Sequence, residues 1–323
     1  MAGADSSINV ALYGDNGHQI HELLPHFPGA RLVAIAEFPR EKLTPASRAN
    51  SDLRAYGTLD ELLADPRVEF VSLCSPCRRH QANDAIRALR AGKHVYAEKP
   101  CAFTEAELEA ILQTAQVSGR MFREMAGTAF EQPYLAMREI VQAGRIGGVV
   151  QVIAEKSYPY HNRRPQDEDI DGGLMRQCAI HAVRFVEHVA GVRIKSVRAM
   201  ESSLGNPVVS GGLRMAASLM LGLEGGGLAS IAANYFNPTG TRMWGYETLR
   251  IIGDRGFVES TQSGRHTRLV IGDRDCGPLD LSAPGRDYFG AYLGKLRGTG
   301  EMPLTLEEEL SPTRWVLRAK QSL

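Results

Sequence analysis

Four short apolar runs alternate with helical patterns over the first hundred residues. The runs are Ile8–Tyr13, Leu32–Glu37, Glu69–Cys74 and His94–Ala97. Between them, Gly17–His26, Arg40–Ala49, Leu59–Ala64 and Arg78–Ala91 read as helices or helical turns. In the last of these, Ala82, Ala85, Ile86 and Leu89 recur at helical spacing. Thr104, with Glu107 three residues on, predicts a capping box for a helix running to Gly119. Such alternation predicts a parallel sheet covered on both faces and joined by right-handed crossovers.

The pattern changes near residue 125. Glu131–Ala143 reads as a helix. Strand-like runs follow at Gly148–Lys156, Lys195–Ser202, Leu213–Leu223, Gly227–Tyr235, Glu247–Ile252, Phe257–Glu259 and Thr267–Ile271. Gly-containing turns join several of them, which suits an antiparallel sheet. Helices are expected at about Leu174–Val189 and Thr305–Gln321. The chain therefore divides into an α/β domain over 1–124 and an α+β domain over 125–323. The second is built on a large, mainly antiparallel open sheet, and the terminal helix is expected to reach back to the first domain. One face of such a sheet meets solvent or another copy, so a homo-oligomer is expected.

Composition narrows the function. Over 323 residues, 37 Lys+Arg balance 37 Asp+Glu, so no general charge draws the chain to nucleic acid or anionic lipid. No apolar run approaches the roughly 18–20 residues of a membrane span. Met1–Ser7 is short and polar and does not read as a secretory signal. Five sparse cysteines suit reduced thiols and a cytoplasmic location. Cys74 and Cys77 form a lone C-x-x-C without a second ligand pair, read as buried or loop thiols rather than a metal or redox site.

The first strand runs into Gly14-Asp15-Asn16-Gly17-His18-Gln19, the place of a G-x-G-x-x-G phosphate loop. Gly14 permits the tight turn. Asn16 stands at the second glycine position and tolerates a left-handed backbone. Gln19 stands at the third and is expected to push a following helix away from the strand or re-angle it. Glu37, 23 residues after Gly14, ends the second strand where a carboxylate accepts hydrogen bonds from a ribose. It would repel a 2′-phosphate and favour NAD over NADP, although Arg40 lies close. Gly14, Asn16, Gly17, His18 and Glu37, with Ser75 and Glu98 beyond the later strands, are the candidate cofactor contacts.

Ala91-Gly92-Lys93-His94-Val95-Tyr96-Ala97-Glu98-Lys99-Pro100 ends a strand in a charged pair and a proline. It resembles the A-G-K-H-V-x-x-E-K-P signature of the glucose–fructose oxidoreductase / inositol dehydrogenase family. Gly144-Arg145-Ile146-Gly147 resembles the turn into that family's second-domain sheet, and Gly172-Gly173 followed by His181 resembles its D-x-x-x-H helix. The resemblance runs nearly the full length. It implies a Rossmann-like nucleotide domain, an open-sheet substrate domain and an active site between them. It implies that Lys99 contacts the substrate hydroxyl and the nicotinamide ribose, that His181 is the acid/base, and that the substrate is a sugar, polyol or sugar acid. Gln177 stands where the family has Asp. It lies one helical turn before His181 and can hydrogen-bond, but it carries no charge to favour an imidazolium.

Without the family, Gln177, His181, Arg184 and His188 form a polar stripe on a helix for which Asp171 is a plausible N-cap. Its bland reading is a solvated face, and Arg184 and His188 read as structural. The segment Lys156–Pro165 is rich in tyrosines and cations, either as a wall of a sugar pocket or as a basic surface loop. Lys156 and Tyr160 are its candidate substrate contacts. Three functions stay open: a dehydrogenase, an enzyme that keeps its NAD and oxidises a sugar transiently, and a non-catalytic nucleotide-binding sensor.

Overall fold

The computed structural model describes residues 7–323; residues 1–6, most of the polar N-terminal stretch, lie outside it. The chain forms two compact units. The first comprises Met1–Met125, Asp169–Asp171 and Phe289–Pro303; the second comprises Ala126–Glu168, Gly172–Tyr288 and Leu304–Leu323.

In the first unit β1 (Ile8–Tyr13), β2 (Ala30–Ala36), β3 (Arg54–Tyr56), β4 (Phe70–Leu73), β5 (His94–Ala97) and β6 (Phe122–Glu124) form one sheet. Every pair is parallel and the order is β3-β2-β1-β4-β5-β6. The order reverses between β1 and β4, the switch point where open α/β sheets take ligands at the carboxyl ends of their strands. Val10, Leu12, Val33, Phe70, Val71, Leu73 and Val95 are fully inaccessible, as strands covered on both faces require. Thr104 and Glu107 form the expected capping box on Glu105–Ser118, and Thr58 with Glu61 forms another on Leu59–Ala64.

Two expected helices take other forms. Gly17–His26 is two single 3-10 turns, Ile20–Glu22 and Leu24–His26. Pro25 cannot donate to an α-helical ladder, and the Gln19 side chain takes the Ile20 N–H. Arg40–Ala49 breaks into Arg40–Lys42 and Pro45–Ala49, the second capped by Thr44 with Pro45 at its start. The first unit also holds two strands and a helical segment that the apolar pattern did not indicate. β3 is short and largely exposed, and β6 carries Arg123 and Glu124. From the helix Tyr288–Leu296, Phe289 and Tyr292 pack on Phe70 and Tyr96, and the Tyr292 hydroxyl donates to the Val95 carbonyl at 3.2 Å. Thus the late segment belonging to the first unit is Phe289–Pro303, whereas the terminal helix Leu306–Gln321 belongs to the second.

The second unit is built on β7 (Val149–Ser157), β8 (Ile194–Ser202), β9 (Ala216–Leu223), β10 (Leu228–Asn234), β11 (Tyr246–Gly253), β12 (Gly256–Thr261), β13 (His266–Ile271) and β14 (Arg274–Gly277). Their order is β14-β13-β12-β11-β7-β10-β9-β8, antiparallel except for the central β7–β10 pair. One face buries Val152, Ala154, Leu219, Leu221, Ile231, Leu249, Ile251 and Val258. The other leaves Ile153, Met200, Met220 and Leu228 exposed. The helical segment Leu174–Val189 opens and closes with π-helical turns around an α-helical middle. Asp171 does not cap it. Asp171 ends the short helix Glu168–Asp171, Gly172 and Gly173 follow with φ of +102° and +67°, and Gly173 is the N-cap.

Candidate functional site

β1 ends at the loop Gly14–Gln19. Gly14 has φ +67°, and any Cβ there would collide with the Cys74 carbonyl at the end of β4, so the turn demands glycine. Asn16 is half-buried and donates to the Pro76 carbonyl at 3.2 Å and to that of Ile170 at 2.5 Å. Gly17 and His18 are exposed. Asp15 pairs with Lys42 at 2.6 Å. Glu37 is exposed just beyond β2, with φ +51°.

Glu98 and Lys99 leave the carboxyl end of β5 and are both buried. Glu98 Oε1 lies 3.4 Å from Lys99 Nζ and 3.1 Å from His18 Nδ1. Burial would raise the Glu98 carboxyl, but the Lys99 ammonium, His18 and the Arg78 guanidinium overcome it and hold Glu98 down at about 2. It is a fixed anion between cations.

Arg78 and Gln81 organise this corner, and neither stood out in the sequence. The buried Arg78 guanidinium donates to the carbonyls of Asn16 and Lys99, tying the loop after β1 to the lysine. Gln81 donates to the carbonyls of Glu98 and Pro100 and accepts from the Ser75 N–H. Periodicity cannot separate such residues from a solvated helix start; only the contacts of their side chains do. Ser75, a candidate cofactor contact, is buried with its hydroxyl donating to Asp84 at 2.8 Å. Cys74 is buried and its thiol is pushed up by that burial. Among the described residues no group of His, Cys, Asp and Glu is placed to hold a metal ion.

In the second unit Gln177 and His181 are half-exposed on the helical segment, while Arg184 and His188 are buried. Gln177 Oε1 accepts from Arg164 Nη1 and from the Tyr235 hydroxyl, both at 3.3 Å. The Arg164 guanidinium lies 3.9 Å from the centre of the Tyr235 ring. Tyr158 meets His181 edge-on at 6.2 Å between centroids, and Trp244 lies near Tyr158 and His161. An amide, an imidazole and aromatic faces thus gather in one place, a set able to hold hydroxyls and C–H surfaces. Arg164 and Tyr235 were not singled out from the sequence.

Lys156 has a different setting. It is buried and paired with Glu247, which also accepts from the Tyr134 hydroxyl. Its ammonium lies 4.9 Å from the Tyr158 ring centre. Tyr160 is half-buried beyond the end of β7.

The first unit answers several requirements of a dinucleotide. It has the strand-order switch, a turn that only glycine fits, and an exposed carboxylate beyond β2. It departs from them in one respect: 3-10 turns replace the helix whose N-terminus usually faces the phosphates.

Residues 9–125 match the model of an oxidoreductase family with an NAD-binding Rossmann fold. Residues 134–259 match the GFO/IDH/MocA C-terminal domain. An uncharacterized oxidoreductase of Rhizobium meliloti is 29% identical over 97% of this chain and 96% of its own. The D-xylose 1-dehydrogenase (NADP(+)) of Hypocrea jecorina is 33% identical over 42% of this chain and 37% of its own. Among solved structures, an oxidoreductase of Thermotoga maritima superposes with a TM-score of 0.84 at 25% identity, covering 98% of this chain and 97% of its own.

Proposed function

Because the chain belongs to the GFO/IDH/MocA oxidoreductase family, we propose that it transfers a hydride between nicotinamide and a carbinol carbon of a sugar, polyol or sugar acid. The observation that carries this reading is Lys99: a buried ammonium at the carboxyl end of β5, beside a permanent carboxylate and tied through Arg78 to the loop after β1. When bound, the nicotinamide supplies the hydride acceptor or donor. Gly14, Asn16, Gly17 and His18 are the loop that would hold the dinucleotide phosphates, and Glu37 would bind the ribose hydroxyls. Glu37 favours NAD, against the NADP named for the xylose dehydrogenase relative.

In substrate oxidation, Lys99 donates a hydrogen bond to the substrate hydroxyl oxygen and lowers the energy of the developing alkoxide. His181 takes the hydroxyl proton, the general-base work that a positioned imidazole can do. Gln177 orients a hydroxyl or the imidazole by hydrogen bonds and adds no charge. Tyr160 is a candidate sugar contact. Lys156, given its carboxylate partner, acts by holding the end of β7.

One observation favours a second reading with the same residues. The position four residues before His181, Gln177, is a neutral amide engaged by Arg164 and Tyr235, not a carboxylate. That would suit an enzyme that keeps its NAD and oxidises a sugar only transiently. Nucleotide copurifying with the protein and turnover without net reduction would support it. A non-catalytic sensor has no need for both Lys99 and His181.

The test is reduction of NAD+ by the purified protein with a panel of aldoses, inositols and sugar acids. Replacing Lys99 by Ala should lower kcat on the best substrate by about 10²–10³-fold, the usual cost of one preorganised donor. Retained turnover in that variant overturns the assignment of Lys99. NAD+ binding with no conversion across the panel overturns the enzyme reading. The exposed apolar residues Ile153, Met200, Met220 and Leu228 support self-association through the outer sheet face. Sedimentation would read it directly. Among the described residues no helix is long and apolar enough to cross a membrane.

A further inference from the structure

β7 lies between β10 and β11 in the second sheet, so the connection from β10 to β11 crosses the carboxyl end of β7. Asn234 at the end of β10 and Tyr246 at the start of β11 are both register partners of Ser157. The crossing segment is tied down. The Asn237 N–H donates to the Tyr158 carbonyl at 3.1 Å, and the Tyr158 N–H donates to the Asn234 carbonyl at 3.0 Å. The buried Asn237 side chain donates to the carbonyls of Met243 and Trp244, at 2.6 and 3.2 Å. Gly245 lets the backbone come close: a Cβ there would lie 2.7 Å from Lys156 Nζ and 3.3 Å from Tyr158 Cε1. These contacts fix the backbone at Trp244 and leave the residue 60% exposed.

The Trp244 ring lies 5.6 Å from His161 and 6.3 Å from Tyr158, centre to centre. Tyr158, only 6% exposed, meets His181 edge-on at 6.2 Å. A row of rings thus runs from His181 through Tyr158 to Trp244, and it opens to water at the tryptophan. An indole offers an apolar face and one N–H donor, and His161 adds its ring nitrogens beside it. A sugar ring has the matching chemistry, with C–H groups on its faces and hydroxyls around its edge. We propose that Trp244, with His161, forms an outer sugar subsite, and that the substrate is a glycoside of two sugar rings, one reacting at His181 and the next stacked on Trp244. That substrate class rests on the function proposed above; the binding of a sugar ring by Trp244 does not. No bond is made or broken at the outer ring, whose contact with Trp244 contributes affinity alone.

The chain has two tryptophans, Trp244 and Trp315, so Trp315→Phe leaves the proposed subsite as the sole indole emitter. Maltose, cellobiose, lactose and cellobionic acid are titrated into this variant without nucleotide, against glucose, galactose and gluconic acid. A disaccharide should shift the Trp244 emission at a concentration about tenfold below that of its own monosaccharides. Calorimetry on the full chain supplies the second measurement. Trp244→Ala should weaken that disaccharide by about tenfold and leave the monosaccharides unchanged, and Trp244→Phe, which keeps an aromatic face, should recover most of the loss. No response to any disaccharide, or equal loss for one ring and for two, overturns the subsite. So does an emission that shifts on dilution of the protein alone, which would place a second copy of the chain on Trp244. NAD+ reduction by a monosaccharide with a silent Trp244 would leave the function proposed above standing without the subsite. A responding Trp244 with no NAD+ reduction by any sugar would leave the subsite standing without that function.

Discussion

The Gln19 side-chain amide donates to the Gly14 carbonyl at 3.0 Å, inside the turn after β1, where it was expected to displace or re-angle the helix that follows. The same nitrogen reaches the carbonyls of Tyr13 and Ser72, and its oxygen accepts from the Ser72 hydroxyl and the Ile20 N–H. Gln19 thus bonds the ends of β1 and β4 together. The sequence following it gives up the α-helix in exchange.

Restoring glycine at this position should therefore harm the fold. Gln19→Ala leaves the Ser72 and backbone groups without their partner, at about 1–3 kcal/mol. Gln19→Gly adds the backbone freedom of glycine to that loss. Urea unfolding of the three proteins measures both changes. A Gln19→Gly variant as stable as the parent would show that the network contributes nothing.

Glu37 is exposed beyond β2, in a left-handed backbone conformation that few non-glycine residues adopt. Its carboxylate should weaken NADP+ binding relative to NAD+. Glu37→Ser should improve NADP+ affinity by up to about fivefold, because an exposed charge contact is worth up to about 1 kcal/mol. It should weaken NAD+ at the same time. Calorimetric titration with both nucleotides reads the two effects. An unchanged ratio would move the discrimination elsewhere, with Arg40 the first residue to try.

His188 gives a pH dependence of stability. Burial, reinforced by the nearby Arg184 charge, lowers its pKa from 6.5 to about 3, and its Nε2 donates to the Glu308 carbonyl at 2.8 Å. Below pH 6.5 the unfolded chain takes a proton that the native protein refuses until about pH 3. The unfolded state therefore binds more protons in this window, and stability falls as pH falls. His188→Gln should make that slope shallower by up to about 1.4 kcal/mol per pH unit. Urea midpoints from neutral pH downward supply the two curves. Parallel curves would mean that the native imidazole takes up its proton as easily as the unfolded one.

The parallel sheet was legible because β1, β2, β4 and β5 are largely buried and read as apolar runs with a single polar residue in each. β6 escaped because Arg123 and Glu124 interrupt the apolar signal, although Glu124 is used inside, accepting the Cys101 N–H at 2.9 Å. Lys99 and His181 were legible as motif positions. Arg78 and Gln81 were not, because what they do is bond backbone carbonyls, and those bonds are made by the fold and leave no spacing in the sequence. Asp171 was misplaced as a cap because the two positive-φ glycines that follow it start the helix two residues later.

Lys156 shows how a cation near a strand end can be read in two ways. As a pocket wall it would meet substrate. In the structure it meets Glu247, and the Tyr134 hydroxyl donates to the same carboxylate. Burial and the Glu247 charge push the Tyr134 hydroxyl well above its usual range, so it remains a donor. Lys156→Met would leave Glu247 buried without its cation, and breaking one side of a buried pair costs about 3–5 kcal/mol. The double replacement Lys156→Met, Glu247→Gln removes both charges and should recover most of that loss. Urea unfolding of the two variants, followed by NAD+ titration of the double variant, separates the readings. Recovered stability with unchanged NAD+ affinity is the outcome for a pair that holds β7 to β11. A fully stable single variant would put the lysine back among the substrate contacts.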